Sequence, residues 1–276
     1  MSPTVAAQEK VAHAAFQKLT ISIQTTSNPL RAIRIRYYQD SDAQVVRTLF
    51  KTALCDGPDS ARYHLCRSEL KTLRAIGSLA LFILGIGLYI SSSALQTQLA
   101  AYLFIVMGTV PFSIYFARTY AAFMAFVNGS INGPDMVDVP KSYGMIRGPN
   151  SDLIPYGKNA FWVAEAYSLE DPSSVEVVGC VGLDISTSAG DDNAELRRLA
   201  VSENYRGNGI ARSLIIALMT HARENGLKSV YLRTSSSNIG ALRAYKKMGW
   251  VVEQEFVEFK NMFTHVLNLE VANSVL

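Results

Sequence analysis

No Asp, Glu, Lys or Arg occurs between Ala75 and Ala117, a stretch of 43 residues in a 276-residue chain that holds 26 basic and 23 acidic side chains. Even spacing would put about eight charges there. Two apolar runs fill the stretch. The first reaches Ile90 and, after Arg74, is broken mainly by Ser78; the second covers Leu99 to Ala117, and SSSALQTQ separates them. Helices at about 73–90 and 99–117 would each be roughly 27–29 Å long at about 1.5 Å per residue. That length matches a hydrocarbon core of about 30 Å, or the core of about 27 Å in the endoplasmic reticulum. The expectation is a two-helix transmembrane hairpin in that membrane. The competing reading is a pair of buried core helices, which are usually shorter. Pro111 lies in the second run, where a membrane helix tolerates it, and glycines at 77, 85, 87 and 108 would let two helices approach.

Basic residues set the orientation. Arg62, Arg67, Lys71 and Arg74 precede the hairpin, Arg118 and Lys141 follow it, and the turn has none. By the positive-inside bias both termini and everything outside the hairpin face the cytosol. The sequon Asn128-Gly129-Ser130 then stays away from the glycosylation machinery.

The rest of the composition excludes several classes. Hydrophobicity is too high and net charge (+3) too small for disorder, and that charge is no argument for nucleic-acid binding. Three cysteines (Cys55, Cys66, Cys180) make no disulfide framework. With four scattered histidines (His13, His64, His221, His265) they show no metal-ligand spacing, so no metal is expected.

Residues 1–31 read as a loose tail, with a weakly amphipathic helix from Ala6 to Leu19 as the alternative and no apolar core of signal-peptide type. AIRIRYY, from Ala32, alternates apolar and basic residues as a half-buried strand does. Asp40-Ser41-Asp42 can cap a helix with Val45, Val46, Leu49, Phe50, Ala53 and Leu54 on its apolar face, ended by Gly57-Pro58. A more basic helix from near Ser60 leads into the hairpin. Strand and helix (32–59) precede a hairpin insertion (60–128), a Gly- and Pro-rich connector (129–159) and a patterned region (160–276).

In that last region Phe161–Tyr167 and Val175–Ile185 read as paired strands around the turn EDPSS, and Ala194–Val201 as a third strand. A helix is expected over 209–225, a strand over 228–234, a short helix over 237–247, and two strands to Asn273. Strands mixed with helices in this order make an α/β or α+β domain around one sheet.

One segment carries a mechanism. Arg206-Gly207-Asn208-Gly209-Ile210-Ala211 fits R-x-x-G-x-[GA] between a strand and a helix. Small residues there let backbone approach a phosphate, and the N–H groups of the first helical turn point at it. Taken alone, the hexapeptide has a plain strand-to-helix turn as its alternative reading. Downstream, Asn238, Ala241, Tyr245 and Gly249 form N-x-x-A-x-x-x-Y-x-x-x-G, with Trp250 next.

Together these blocks resemble the signature of the GNAT superfamily of acetyl-CoA-dependent N-acetyltransferases, from about Phe161 to the C-terminus. DMVDVPKSY (135–143), FWVAE (161–165) and TSSSN (234–238) are similar to its membrane-anchored, camello-like branch, which includes cysteine-S-conjugate and aspartate N-acetyltransferases. The segment GMIRGPNSDLIPYGKN, between KSY and FWVAE, is an insertion relative to that branch. The resemblance implies an acetyltransferase fold around a mixed central sheet, interrupted by the hairpin.

It further implies acetyl-CoA as co-substrate, a small-molecule amine as acceptor and a bilayer as support. Leu199, Ala200 and Val201 would pair with the pantetheine arm, and Arg206, Gly207, Asn208, Gly209, Ile210, Ala211 and Arg212 would cradle the pyrophosphate. Asn238 would bond the pantetheine or thioester end, and Tyr245 would lie by the sulfur. Glu195 takes the position of a general base and Tyr245 that of the general acid. The alternatives are a surface glutamate paired with Arg197 or Arg198, and a core-packing aromatic. Arg197 and Arg233 could receive an acceptor carboxylate or be solvated charge. Cys180 reads as core and His221 as helix surface. Competing functions are a protein-lysine acetyltransferase and a non-catalytic acetyl-CoA-binding membrane module.

Overall fold

The structure is a computed structural model that describes residues 20–23, 31–58, 60–168, 174–186, 192–236, 238–259 and 262–272. The possible Ala6–Leu19 helix and most of the EDPSS turn lie outside the described residues. The chain divides into two units, one of residues 1–57 and 131–276, the other Pro58–Ser130.

The first unit is built on a mixed sheet. Its strands are β1 (Thr20–Ile23), β2 (Arg31–Tyr37), β5 (Ala160–Ser168), β6 (Val175–Asp184), β7 (Asn193–Val201), β8 (Ser229–Ser235), β9 (Val251–Phe259) and β10 (Met262–Glu270), in spatial order β1-β2-β5-β6-β7-β8-β10-β9. The β7–β8 pair is parallel; the other pairs are antiparallel. A parallel pair needs a crossover, and helix α7 (Ile210–Glu224) makes it. β1 is a correction to the expected tail: Thr20–Ile23 pair with β2.

Alternation along the strands sends side chains to two cores. On one face Trp162, Ala164, Val181, Leu183, Leu196, Val230 and Leu232 meet Ile210, Leu214, Ile215 and Leu218 of α7, and Tyr245 of α8 (Ile239–Lys247). On the other, Phe161, Val163, Cys180 and Ala200 meet Val46 and Leu49 of α1 (Ala43–Cys55). Val45, expected on the apolar face of α1, is exposed, because the buried stripe runs Val46–Leu49 and on to Cys55.

The expected connector is ordered. It holds two helices of one turn each, α5 (Pro134–Val137) and α6 (Val139–Ser142), and a hairpin of β3 (Met145–Arg147) with β4 (Leu153–Pro155). Pro134 and Pro140 lie in first turns, where proline's missing N–H removes no bond. The Gln39 side chain accepts from the Leu153 N–H at 2.8 Å and donates to its carbonyl at 3.2 Å, fastening the hairpin to the end of β2.

The second unit begins with α2 (Ala61–Leu70), capped by Ser60, whose hydroxyl accepts from the Tyr63 N–H. The hairpin helices are α3 (Leu73–Ser91) and α4 (Leu95–Ile131). The second starts earlier and ends later than the expected 99–117, since nothing in Arg118–Ile131 breaks a helix. Gly85 and Gly108 are the close-approach points: a Cβ on Gly85 would lie 2.7 Å from Ile105, and one on Gly108 would lie 2.7 Å from the Ser78 carbonyl. Both helices keep their large apolar side chains outward, among them Ile76, Leu79, Ile83, Leu99, Leu103 and Ile114. They are not core helices.

His221 is a second correction. It is buried rather than on the helix surface, edge-on to Trp162 at 5.3 Å. Burial pushes its pKa down from 6.5 to about 4, against the pull of backbone hydrogen bonds with Lys158 and Gly157. Between those values the unfolded chain binds a proton that the folded chain does not, so stability rises with pH there. This contribution is complete above about pH 6.5 and is lost as pH falls towards 4. It amounts to roughly 3 kcal/mol, at about 1.4 kcal/mol per unit. Unfolding measured from pH 7 to 4.5 should show this decline, and His221→Gln should flatten it. An unchanged acid limb in the variant would assign the decline to other groups.

Candidate active site

The site starts from a defect in β7. Arg198 has φ 57°, in the left-handed region, and the β6–β7 register shifts beside it between Cys180 and Gly182. This is a bulge, which bends a strand and re-aims its side chains. Pairing between β7 and β8 ends at Leu196↔Leu232, although β7 runs on to Val201 and β8 to Ser235. Ala200 and Val201 still pair with Cys180 and Gly179 of β6. On their β8 side, Leu199, Ala200 and Val201 make no strand pairing among the described residues. An extended chain with amide groups can add there as a strand.

Beyond β7 comes the turn. A short 3-10 segment, Glu203–Tyr205, leads through Arg206 to Gly207 (φ 82°) and Gly209 (φ 77°). Both glycines need the left-handed region, and a Cβ on either would meet nothing within 4 Å. Gly209 is the N-cap of α7 and supplies no side-chain cap, so the first-turn amides of Ile210, Ala211 and Arg212 stay available to an anion. Arg206 Nε donates to the Val201 carbonyl at 3.3 Å. The Asn208 side-chain Nδ2 donates back to the carbonyls of Tyr205 and Arg206, at 3.2 and 3.4 Å.

At the other end of β7 lies a charge network built on buried carboxylates. Glu195 is 4% exposed and receives two bonds from Arg233, Nε to Oε1 at 2.9 Å and Nη2 to Oε2 at 3.1 Å. Arg197 lies 3.8 Å from the same carboxylate and donates to Asp184 at 2.9 Å. Arg198 takes Asp135 at 2.7 and 2.8 Å. Three carboxylates thus face three guanidiniums. Burial alone would raise the Asp135 carboxyl, but the hydrogen bonds and charge of Arg198, with the charge of Arg197, hold it below the usual carboxylate range. Tyr143 lies over Gly182, where a Cβ would come within 2.6 Å of its ring, and its hydroxyl donates to Asp135 at 3.4 Å. Burial pushes that phenol far above its ordinary value.

The remaining candidates sit on α8 and its cap. Asn238 caps α8, its Oδ1 accepting from the Ala241 N–H at 3.4 Å. Tyr245 is buried in the α7-side core, edge-on to Trp250 at 5.8 Å, and burial raises its pKa well above 10. Cys180 is fully buried and its thiol is pushed up to about 12, so it is no nucleophile.

The fold therefore joins Glu195, Arg197 and Arg233 in one network, and places Arg206–Arg212 at the far end of the same strand. Tyr245 lies in the core on the α7 side of the sheet, packed against Trp250. Sequence reasoning missed Asp135, Asp184 and Tyr143. The available signal was a charged residue at the end of an apolar strand (Asp184) and one inside DMVDVPKSY (Asp135).

Comparison with known proteins gives a consistent result. The sequence model described as "Acetyltransferase (GNAT) family" matches residues 142–250. N-acetyltransferase 8B of Rattus norvegicus is 30% identical over 215 residues, 77% of this chain and 83% of that protein. N-acetyltransferase 8B of Mus musculus is 28% identical, covering 85% and 88%. The probable N-acetyltransferase camello of Xenopus tropicalis is 28% identical, covering 79% and 85%.

Proposed function

Because the chain belongs to the GNAT acetyltransferase family, in the branch of the N-acetyltransferase 8 and camello proteins, and is thus an acetyl-CoA-dependent N-acetyltransferase, we propose that it acetylates the amine of a small molecule at an intracellular membrane. The acceptor is an amino acid or a cysteine S-conjugate. One observation carries this reading: a strand edge with no pairing partner among the described residues leads into a bare-glycine turn at one end of β7, and a charge network on buried carboxylates stands at the other.

Those residues fit acetyl-CoA. The edge at Leu199–Val201 suits an amide-bearing arm, and the turn from Arg206 to Ala211, with Arg212, suits a pyrophosphate. Asn238, which follows β8 and caps α8, would bond the pantetheine arm or the thioester end. In transfer, the amine nitrogen attacks the thioester carbonyl, the carbon–sulfur bond breaks and the sulfur leaves as thiolate. Glu195 takes the amine proton through a water, and for that the Arg233 clamp has to yield part of its hold. A backbone N–H near Val201 faces the oxyanion. Tyr245, kept as neutral phenol by burial, gives its proton to the thiolate. Arg197 and Arg233 offer guanidinium groups to an acceptor carboxylate.

The membrane reading rests on α3 and α4, both long and apolar enough to cross a bilayer and with outward faces that water would not cover well. The anchor is a hairpin in the endoplasmic reticulum, with the catalytic unit in the cytosol. Glycosylation acquired at sequons engineered into the catalytic unit would refute that orientation.

The deciding experiment is acetyl-CoA turnover by the full chain across cysteine conjugates, aspartate, lysine peptides and polyamines. Preference for an amino acid or conjugate is the expected result. Preference for lysine peptides would replace this reading with a protein acetyltransferase, and acetyl-CoA binding without transfer to any amine would refute it.

A further inference from the structure

The turn from Arg206 to Gly209 has little to hold its shape from within. Gly207 and Gly209 carry no side chains, nothing stands within 4 Å of where a Cβ would be, and both are exposed. The Asn208 amide refers the turn to the carbonyls of Tyr205 and Arg206. What fixes Tyr205 therefore fixes the turn.

Tyr205 is tied across the sheet. Its ring is buried in the α7-side core, and its hydroxyl donates to Glu176 Oε2 on β6 at 2.8 Å. The same hydroxyl accepts from Arg31 Nη1 on β2, and that nitrogen also pairs with Glu176 at 3.0 Å. The Arg31 guanidinium lies 5.9 Å from the centre of the Tyr205 ring. β5 runs between β2 and β6, so the three side chains span three adjacent strands at the end of the sheet where the turn begins.

We propose that Arg31, Glu176 and Tyr205 form a latch that holds the turn ready for the pyrophosphate of acetyl-CoA, which makes Tyr205 a positioning residue for cofactor binding. The inference rests on the reading of the Arg206–Ala211 turn as the pyrophosphate cradle. The physical basis is pre-organisation. A ligand that needs one conformation of a loop binds more weakly by the fraction of time the loop spends elsewhere. The latch keeps that fraction small without touching the ligand. Loss of the hydroxyl leaves Arg31 and Glu176 paired with each other, so Tyr205→Phe removes the link without stranding a charge.

The test is CoA affinity by calorimetry, together with KM for each substrate, on the full chain in detergent. Tyr205→Phe should weaken CoA binding and raise KM for acetyl-CoA about tenfold, the penalty if the ready conformation drops to roughly a tenth of the population. The acceptor KM and kcat at saturating acetyl-CoA should stay within about twofold. Glu176→Ala, at a half-exposed position, should reproduce the effect, and the double variant should be no worse than either single one. Glu176→Gln should restore most of the affinity, because its amide oxygen still accepts from the phenol. Wild-type CoA affinity in Tyr205→Phe, or equal losses in kcat and both KM values, would overturn the latch. Gly209→Asp separates the two readings. If CoA binding survives that substitution, the cradle itself is wrong; if binding is lost there and intact in Tyr205→Phe, the latch alone fails.

Discussion

Tyr245→Phe should lower kcat by about 10²-fold or more while leaving KM for acetyl-CoA and thermal stability almost unchanged, since general acids typically contribute 10²–10⁴-fold. Phenylalanine fills the same space in the core and keeps the edge-on contact with Trp250, so the loss isolates the phenolic proton. The competing role, core packing, makes the opposite forecast: kcat unchanged. The pH profile adds a second criterion. The acid must be neutral to donate, and burial moves the pKa of Tyr245 upward, so its acid form persists to higher pH than an exposed tyrosine's. The kcat of the wild-type enzyme should show no alkaline loss attributable to Tyr245 up to pH 10, where an ordinary phenol would be about half ionised. An alkaline limb below pH 10 that disappears in Tyr245→Phe would place the group in a wetter setting than the structure does.

Gly209→Asp should abolish measurable use of acetyl-CoA, by about 10²-fold or more in affinity, while a side chain at φ 77° costs the fold some stability. Gly209 sits at φ 77° as the N-cap of α7 without a side-chain cap, a region that Asp enters only occasionally. A carboxylate there stands beside the positive end of α7 and competes for the first-turn amides. Those are the amides the pyrophosphate needs, and the new charge repels it besides. Hydrogen bonds to charged groups contribute about 1.5–3 kcal/mol each, so losing one or two accounts for the expected factor. Arg206→Glu should act in the same direction by charge alone. Normal cofactor affinity in both variants would remove the turn from the binding site.

Much of the candidate site was legible because the features proposed for it are local. A phosphate turn is contiguous by nature: φ above zero, small side chains and free helical amides all fall within six residues. The Asn238–Gly249 block is one helix and its caps, and the alternation of AIRIRYY marks β2 without help from tertiary contacts. What could not be read was set across the sheet. Glu195 and Arg233 are 38 residues apart and meet because β7 and β8 lie side by side; the sequence pointed to Arg197, which does lie 3.8 Å from the carboxylate, or to Arg198, and did not find Arg233. Arg198 turns away to Asp135 because the bulge re-aims it. His221 looked like surface because one polar residue on a helix usually is; the neighbouring Trp162 on β5 decides otherwise.

The charge-free stretch marks the same division. By itself it established that an apolar hairpin interrupts an otherwise ordinary chain, since 43 residues without a charge cannot be the surface of a soluble domain. Composition did not set where the second helix ends. α4 runs through Arg118 to Ile131, because helix continuation depends on backbone hydrogen bonds and not on the charge of a side chain. Nor could composition decide between core and exterior, since a buried helix and a lipid-facing one are apolar alike. That choice belongs to packing: α3 and α4 meet each other at Gly85 and Gly108 and turn their leucines and isoleucines outward. Sequence determines the features that a short run of backbone and side chains creates on its own. Tertiary structure decides which distant groups become neighbours, and with them which charges pair and which faces are covered.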